Sequence, residues 1–291
     1  MALRYATNHK TVIMRKILLP LVLLLAACNN DNSTEPQPEP QPDGDSPIAG
    51  YIKIWGDEFE GSELNTIYWT AENSVGANQE QQYYTDRREN IRVEDGCLVV
   101  EARKEELGGR NYTSGRINSN GKIQFKYGYI EARMMLPKGR GTWPAFWMLG
   151  TQSVWPACGE IDIMEHSGQR PTIISHALHT LERNTSNGKY WTSEYSPEGG
   201  VEGVWHTYAL LWEQDADAGD DRITFMVDGV ATAVQYQPHG VEDTSRWPFN
   251  SYFYIVVNLA MGGLMGGEID DTAFDEGVVM KVDYIRLYQK Q

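Results

Sequence analysis

The sequence predicts an all-β fold, and three of its features carry this prediction. Several segments alternate apolar with polar residues, which is the pattern of strands that bury one face. Gly, Asp and Asn separate these segments as turn residues. No segment with helical periodicity is longer than about two turns, and there is no internal repeat. Many short strands separated by turns favour a β-sandwich or barrel, and all-β domains of this size are commonly single.

Four segments are the clearest predicted strands. Residues 122–136 alternate large apolar residues, beginning with Ile123 and Phe125, with mostly polar partners. Residues 222–234 are predicted to form two strands around Asp228-Gly229, a dipeptide that strongly favours a hairpin. The other two segments are rich in Val, Ile and Tyr, and they are residues 252–259 and 278–288. Predicted strands therefore continue almost to the last residue.

Residues 1–28 are predicted to be a signal peptide rather than part of the fold. A basic segment at residues 14–16 precedes a short apolar run, and Leu-Ala-Ala-Cys at residues 25–28 supplies a small-residue cleavage site. The apolar run is shorter than the roughly 20 residues that span a membrane. The four residues resemble a bacterial lipobox, which implies cleavage before Cys28 and lipid attachment to its thiol; an ordinary signal peptide is the alternative. We therefore expect an exported lipoprotein, anchored to a membrane of the bacterial cell envelope and facing the periplasm or the cell surface.

A spacer is predicted to separate this anchor from the folded domain. Residues 29–48 alternate Pro with Glu and Gln and offer almost nothing apolar to bury, and Pro-rich chains are extended. The folded domain is then residues 49–291. It contains Cys97 and Cys158, which an exported protein can join as a disulfide. Two buried free thiols are the equally open alternative.

The composition excludes one class of partner and favours another. Acidic residues number 40 against 25 basic ones, for a net charge of −15. Nucleic-acid binding needs a basic stripe, and the basic residues here are scattered, so nucleic acid is excluded. An acidic surface suits a neutral ligand such as an uncharged polysaccharide. The 9 Trp and 16 Tyr residues have two interpretations, packing within a β core or stacking on sugar rings in a cleft.

The most informative segment is Gly-Glu-Ile-Asp-Ile-Met-Glu-His at residues 159–166. Side chains alternate along a strand, so Glu160 and Asp162 share one face while Glu165 has the wrong parity. A bulge that absorbs one extra residue near Ile163-Met164 would return Glu165 to the acidic face. Retaining glycoside hydrolysis requires two carboxyl groups about 5–5.5 Å apart, one ionised and one protonated. An exposed strand without a function and a calcium site are the competing interpretations.

This segment resembles the active-site strand of family 16 glycoside hydrolases, in the bulged form that laminarinase-like members carry. Other segments resemble the same family in the expected order, across about residues 53 to 289. These segments are residues 121–133, the Trp-rich 141–149, 258–263 and 282–288. The resemblance implies a β-jelly-roll sandwich with a concave, open substrate cleft and a catalytic domain at residues 49–291.

The resemblance also implies roles for single residues. Glu160 is implied to be the nucleophile, Glu165 the acid/base and Asp162 the assisting carboxylate. The positions implied to stack on glucosyl rings are Trp143, Trp147 and Trp155, and those implied to hold substrate through polar groups are Asn78, Arg116 and His179. Core packing and structural hydrogen bonding are the respective alternatives. His166 is interpreted as tuning the neighbouring Glu165, and His206 as a packed, hydrogen-bonded histidine.

Two further expectations concern ions and partners. Members of this family often carry a structural calcium ion, which implies a site formed by the carboxylate of Asp283 and the backbone carbonyls of Glu58 and Gly96. No cofactor is expected for catalysis. The partners expected are a β-glucan polysaccharide and, through the lipid anchor, a bacterial membrane, with the protein itself a monomer.

The expected function is endo-acting, retaining hydrolysis of β-1,3-glucan. The bulged strand favours this branch of the family over strictly mixed-linkage enzymes, which resemble a shorter Glu-x-Asp-x-Glu form. Mixed β-1,3/1,4-glucan stays open as a second substrate. One alternative is an agarase-like galactan hydrolase, which shares the acidic residues. The other is a non-catalytic glucan-binding module of the same fold, which the three retained carboxylates oppose.

Overall fold

The computed structural model describes residues 46–214 and 220–291. The predicted signal peptide at residues 1–28, the lipidation site Cys28 and the linker up to residue 45 lie outside the described residues. These boundaries, and the range 49–291 for the catalytic domain, stay predictions.

Strands dominate the described residues. In chain order they are β1 (Tyr51–Asp57), β2 (Thr70–Ala71), β3 (Ser74–Val75), β4 (Gln82–Tyr84), β5 (Ile91–Glu94), β6 (Cys97–Ala102), β7 (Tyr112–Ser114), β8 (Arg116–Asn118), β9 (Gln124–Phe125), β10 (Gly128–Met135), β11 (Thr142–Gly150), β12 (Glu160–His166), β13 (Ile174–His179), β14 (Trp191–Tyr195), β15 (Trp205–Gln214), β16 (Asp221–Val227), β17 (Val230–Tyr236), β18 (Phe253–Met261) and β19 (Val278–Lys290). The helical segments are α1 (Gly263–Gly266) and two 3₁₀ turns, Thr185–Asn187 and Asp271–Asp275. The prediction of a fold without long helices is confirmed for these residues.

Two eight-stranded sheets form a sandwich, which confirms the predicted all-β jelly roll. The first, called here the outer sheet, has the order β17-β16-β15-β10-β19-β6-β5, with β1 also paired to β19. The second, called the cleft sheet, has the order β14-β13-β12-β11-β18-β8-β2, with β9 beside β18. All pairings within both sheets are antiparallel, and β3, β4 and β7 form a small third sheet. The strand order places β12, which carries the acidic segment, near the middle of the cleft sheet.

The core lies between the inner faces of the two sheets. Trp212 of the outer sheet is fully buried and packs edge-on against Phe253 of the cleft sheet, with ring centroids 5.5 Å apart. Ile223, Phe225 and Val227 alternate along β16 and are likewise buried, as expected for a strand with one inner face. Truncating such a core Trp to Ala typically costs about 3–5 kcal/mol of stability.

The predicted hairpin is confirmed, and one predicted strand is divided. Asp228 and Gly229 both have positive φ, 51° and 76°, as the favoured two-residue hairpin requires. The segment 122–136 forms β9 and β10 with a break between them. At this break Tyr127 and Gly128 have positive φ, and a Cβ on Gly128 would lie 2.5 Å from the carbonyl oxygen of Tyr288. The alternation of apolar residues did not reveal this close approach.

The two cysteines of the domain are not joined. Cys97 is half-buried and Cys158 is buried, and both are free thiols, which decides between the two interpretations left open above. Within residues 46–214 and 220–291, no helix has the length and apolarity needed to cross a membrane.

Candidate active site

The acidic strand β12 contains the predicted bulge. Along its border with β11, Asp162 pairs with Trp147 and Met164 pairs with Phe146, so the ladder skips Ile163. Ile163 and Met164 are both fully buried. A residue that does not pair shifts the parity of the strand by one, and the side chain after it returns to the cleft face. The predicted position of the bulge is therefore confirmed.

Glu160, Asp162 and Glu165 consequently line one cleft. The indole Nε1–H of Trp155 donates to Glu160 Oε2 at 2.5 Å, and that of Trp143 donates to Glu165 Oε1 at 3.0 Å. Hydrogen bonds to a carboxylate hold its oxygens in place. Each outer carboxyl group of the strand is therefore oriented by its own tryptophan, a role that the sequence did not indicate.

Asp162 lies between these two residues and is almost fully buried. It shares a hydrogen bond with Glu160. His179 Nε2 lies 3.1 Å from Asp162 Oδ2, in poor alignment for a hydrogen bond. Oxygens of Glu160 and Asp162 and a ring nitrogen of His179 all lie within 4.8 Å of one another. The His179 ring stacks on Tyr190 with centroids 4.8 Å apart, which fixes its orientation.

Crowding raises the pKa of every carboxyl group in this set. Burial and the neighbouring charge of Asp162 raise the pKa of Glu160 to about 8. Burial and the charge of Glu160 raise the pKa of Glu165 to about 7. Burial and Glu165 raise the pKa of Asp162 well above its ordinary value. Because such closely spaced groups titrate as a set, the cleft retains at least one carboxyl proton near neutral pH.

A chain of hydrogen bonds reaches from the cleft floor to a buried glutamate. Trp147 Nε1–H donates to Asn258 Oδ1 at 2.7 Å, and Asn258 Nδ2 donates to the Tyr84 hydroxyl at 3.1 Å. That hydroxyl donates to Glu80 Oε2 at 2.7 Å. The Arg116 guanidinium lies 4.9 Å from the centre of the Trp147 ring, within the range of a cation–π contact. The indole of Trp147 is thus held at its N–H edge and covered on one face by a cation.

The other predicted substrate residues lie around the same cleft, except one. Those that line it are Asn78, Arg116, Trp143, Trp147 and Trp155. Asn78 has a φ of 52°, and its carbonyl oxygen accepts a hydrogen bond from Leu264 N. The exception is His179, whose side chain lies beside the Asp162 carboxylate and is 5% exposed. It could therefore contact substrate only next to that carboxylate.

Sequence reasoning missed three residues of this site. Glu80 and Asn258 line the cleft, and Tyr84 connects them. Asn258 lies inside a segment that resembles the family, but its partner Trp147 is 111 residues away. No local pattern reports such a pairing.

The two acidic residues of the predicted calcium site pair with cationic side chains of the protein. Asp283 Oδ2 lies 2.7 Å from Arg133 Nη1. The side chain of Glu58 pairs with Arg286 at 2.7 Å and Lys53 at 2.8 Å. A guanidinium on Asp283 already balances the one carboxylate of the predicted set, and Ca²⁺ prefers sites with several oxygen ligands. Asp283 therefore has its charge neutralised without a metal ion.

The two histidine interpretations have different outcomes. His166 is fully buried, with Nδ1 2.7 Å from the carbonyl oxygen of Ile173 and Nε2 3.3 Å from Glu202. It faces away from Glu165, so its interpretation as a tuning residue is wrong, because adjacent residues of a strand point to opposite faces. His206 bonds the Asp228 carboxylate at 2.6 Å and a backbone carbonyl at 2.8 Å, which confirms a packed, satisfied histidine.

Comparison with known proteins agrees with this geometry. Residues 78–286 match the model of the family described as "Glycosyl hydrolases family 16". The chain is 38% identical over 257 residues to "Beta-glucanase" of Rhodothermus marinus, covering 81% of this chain and 84% of that protein. It is 34% identical over 272 residues to "Glucan endo-1,3-beta-glucosidase A1" of Niallia circulans, covering 85% of this chain but 39% of that protein.

A solved structure extends the likeness to the whole sandwich. SCLam, a "non-specific endo-beta-1,3(4)-glucanase from family GH16", superposes with a TM-score of 0.77 at 37% identity, covering 84% of this chain and 93% of that one. The matched residues include the bulged acidic strand and most strands of both sheets. On this combination of sequence, fold and acidic strand, the chain belongs to glycosyl hydrolase family 16.

Proposed function

We propose that the protein is an endo-acting, retaining glycoside hydrolase that cleaves β-1,3-glucan and also accepts mixed β-1,3/1,4-glucan. The observation that carries the proposal is the face shared by Glu160, Asp162 and Glu165 in the cleft, with an indole N–H on each outer carboxyl group. Two such carboxyl groups are what double displacement at an anomeric carbon requires. The glucanase relatives support the substrate.

The first half of the reaction forms a covalent intermediate. Because the three carboxyl groups titrate as one set, the reacting form is the one with protons on Asp162 and Glu165. Glu160 then attacks the anomeric carbon as a carboxylate while Glu165 gives its proton to the departing glycosidic oxygen. The carbon–oxygen bond to the leaving sugar breaks as the bond to Glu160 Oε forms. Asp162 shares a hydrogen bond with Glu160; once Glu160 is ionised, the proton of that bond lies on Asp162 and stabilises the charge of the nucleophile. The Trp155 N–H keeps the attacking group aimed at the cleft.

The second half returns the enzyme to its starting state. Glu165, now ionised, takes a proton from water, and the resulting hydroxide attacks the anomeric carbon from the face that the first sugar left. Glu160 departs, so two inversions give net retention. The raised pKa of about 7 at Glu165, caused by burial and the charge of Glu160, suits a group that must give and take a proton near neutral pH.

Substrate contacts are assigned to the remaining cleft residues. Exposed faces of Trp143, Trp147 and Trp155 would stack on glucosyl rings, because aromatic faces match the apolar faces of pyranoses. Asn78 and Arg116 line the cleft and offer polar groups to hydroxyls. His179 would contact the reacting sugar beside Asp162.

A side-by-side digestion tests the proposal. Laminarin, lichenan, barley mixed-linkage glucan and agarose are incubated with the protein, and the products are sized. Short oligosaccharides from the middle of laminarin chains, with initial β configuration at the new reducing end, are expected. Cleavage of agarose alone would assign a galactan hydrolase, and binding to laminarin without products would assign a glucan-binding module.

Two further proposals concern the anchor and calcium. Lipidation at Cys28 predicts a membrane-bound protein that incorporates a palmitate analogue and becomes soluble and unlabelled as Cys28→Ala; an unlabelled wild type would mean an ordinary signal peptide. For calcium at Asp283 with the carbonyls of Glu58 and Gly96, the test is the Tm with Ca²⁺ and with a chelator. A rise of several degrees with Ca²⁺ supports the site, and an unchanged Tm removes it.

A further inference from the structure

One histidine lies directly opposite the bulge of the acidic strand. Along the border of β12 and β13, Asp162 pairs with Ala177 and Glu165 pairs with Ser175. Two residues of β12 therefore face a single residue of β13, and that residue is His176. Its side chain is fully buried, so it points into the sandwich, behind the cleft.

His176 bonds the bulge itself. Its Nδ1 lies 2.6 Å from the carbonyl oxygen of Ile163, the residue that the β11 ladder skips. A carbonyl can only accept, so the neutral ring must carry its proton on Nδ1. A buried carbonyl without a partner destabilises the fold, and the skipped residue has lost its place in the ladder to β11. The imidazole supplies the donor that this ladder does not.

The other side of the ring reaches the opposite sheet. His176 Nε2 lies 2.9 Å from Thr232 Oγ1, and the ring stacks on Phe225 with centroids 4.7 Å apart. Thr232 is itself the extra residue of a second bulge, because Phe225 pairs with Ala233 and Met226 with Ala231. One side chain thus joins the bulge of the acidic strand to a bulge of the outer sheet.

The environment keeps this ring neutral. Burial lowers the pKa of His176 to about 4, and no charged side chain of any described element contributes to the shift. In the neutral tautomer with Nδ1–H, Nε2 can only accept, and the single hydroxyl proton of Thr232 serves either Nε2 or the carbonyl oxygen of Phe225, 3.1 Å away. The bond from Nδ1–H to the Ile163 carbonyl therefore persists throughout the pH range in which the cleft carboxyl groups titrate.

The geometry points to His176 as a positioning residue for Glu165: by holding the Ile163 carbonyl, it fixes the bulge in the form that turns Glu165 into the cleft. Rotation of the peptide group after Ile163 would change the direction of the chain just before Glu165. Small displacements of a reacting group can lower a rate about a hundredfold. The inference rests on the proposed function, because it assigns His176 an effect on the acid/base.

The experiment compares two substrates in matched variants. Laminarin needs an acid to release its leaving group, whereas a 2,4-dinitrophenyl β-laminaribioside releases dinitrophenolate without one. The quantity kcat/KM reports the first half of the reaction for both. His176→Phe keeps an aromatic ring against Phe225 but loses both hydrogen bonds. His176→Asn keeps an amide donor near the position of Nδ1, and His206→Phe removes another buried, doubly bonded histidine in the outer sheet.

We expect a split between the substrates. In His176→Phe, kcat/KM on laminarin falls about a hundredfold, while that on the dinitrophenyl glycoside stays within about threefold. His176→Asn recovers most of the laminarin activity. His206→Phe lowers the Tm but leaves the ratio of the two activities unchanged. The basic limb of the laminarin pH profile, which reports the acid, moves in His176→Phe and not in His206→Phe.

Equal losses on both substrates in His176→Phe would overturn the inference, since they would indicate a general packing defect. Should His176→Phe not fold, His176→Gln replaces it, because its amide reaches the position of Nε2 and leaves Ile163 without a donor. An unchanged activity ratio in His176→Gln would equally overturn the inference. Glu165→Gln is the reference variant. If Glu165→Gln keeps the wild-type rate on laminarin, the proposed function fails. If Glu165→Gln loses that rate but the variants at position 176 keep the wild-type ratio of the two activities, only the inference about His176 fails.

Discussion

Two groups of acids in this molecule have opposite environments. On the outer sheet, the side chain of Glu58 is bonded by Arg286 and Lys53 and that of Asp283 by Arg133. In the cleft, Glu160 and Glu165 are bonded by tryptophan indoles, which carry no charge.

The pKa values record the difference. At Glu58 burial acts to raise the pKa, but hydrogen bonds from Arg286 and Lys53 outweigh it and lower the pKa. At Glu160 and Glu165 burial and neighbouring carboxylates raise the pKa. Fixing a carboxylate with a cation stabilises the fold but locks the group in its charged form. An indole orients the same oxygens and leaves the proton exchangeable, which proton transfer requires.

The largest expected difference between the cleft acids and the outer-sheet acids is in catalytic activity. Glu160→Gln and Glu165→Gln are each expected to lower kcat on laminarin at least about a thousandfold, because each removes a group that bonds to the substrate or moves its proton. Glu58→Gln is the matched control and should keep kcat within about twofold. Azide should rescue Glu160→Ala and give an α-glycosyl azide, since one inversion is left. A Gln variant at 160 or 165 with a near-normal rate would remove the assignment.

The second expected difference is in stability, between a buried and an exposed ion pair. Arg286→Met is expected to lower the free energy of unfolding by about 2 kcal/mol, because it removes one of the two cations that bind Glu58 in a pair whose guanidinium is buried. Specific activity at low temperature should be unchanged. Urea denaturation measures the loss, with Arg246→Met, which breaks an exposed pair with Glu182, as the control that changes stability by less than about 1 kcal/mol. Equal losses in the two variants would contradict the distinction drawn between these pairs.

The third prediction concerns the indoles. Trp155 is 41% exposed, so Trp155→Phe should hardly change the Tm, yet it removes the hydrogen bond to Glu160. We expect kcat/KM to fall about tenfold, which is about 1.4 kcal/mol of transition-state stabilisation. Trp247→Phe in the buried core is the control, because it should lower the Tm and spare kcat/KM. The reverse pattern would make Trp155 a structural residue.

The smallest expected effect is the change in stability with pH, which should have opposite signs in Glu165→Gln and Glu58→Gln. Glu165 has a raised pKa, so its folded state holds a proton that the unfolded state has lost, and its contribution to stability falls as pH rises from about 4.5 through 7. At pH 8, Glu165→Gln should therefore be more stable than wild type by about 1 kcal/mol, after discounting for exposure, which corresponds to a Tm higher by roughly 2–4 °C. At pH 4.5 the two proteins should have the same Tm. Glu58→Gln should show the opposite sign, because its lowered pKa stabilises the fold above pH 4.5. The same sign in both variants would contradict the comparison.

The sequence was sufficient where structure follows from neighbours along the chain. The parity of Glu160, Asp162 and Glu165 required a bulge, and the bulge lies at Ile163. The turn at Asp228-Gly229 followed from residues that tolerate positive φ. Both are consequences of backbone geometry within a few residues.

The sequence was insufficient where function depends on distant partners. Trp143 was predicted to stack on sugar, but its N–H bonds Glu165, 22 residues away. Trp147 depends on Asn258, which is 111 residues away. His176 showed no motif at all, because its partner is a backbone carbonyl. Such pairings follow from the register of strands, which alternation alone does not specify.

The bulge also determines which changes of length this strand tolerates. Deletion of one codon at Ile163 or Met164 would leave acidic and apolar residues in strict alternation, with all three carboxyl groups still on one face of a regular strand. Deletion at Ile161 would instead move Glu160 to the face opposite Asp162 and Glu165. Gain or loss of a residue at the bulge is therefore a short evolutionary path between two active forms of the strand, whereas the same event two positions earlier ends catalysis.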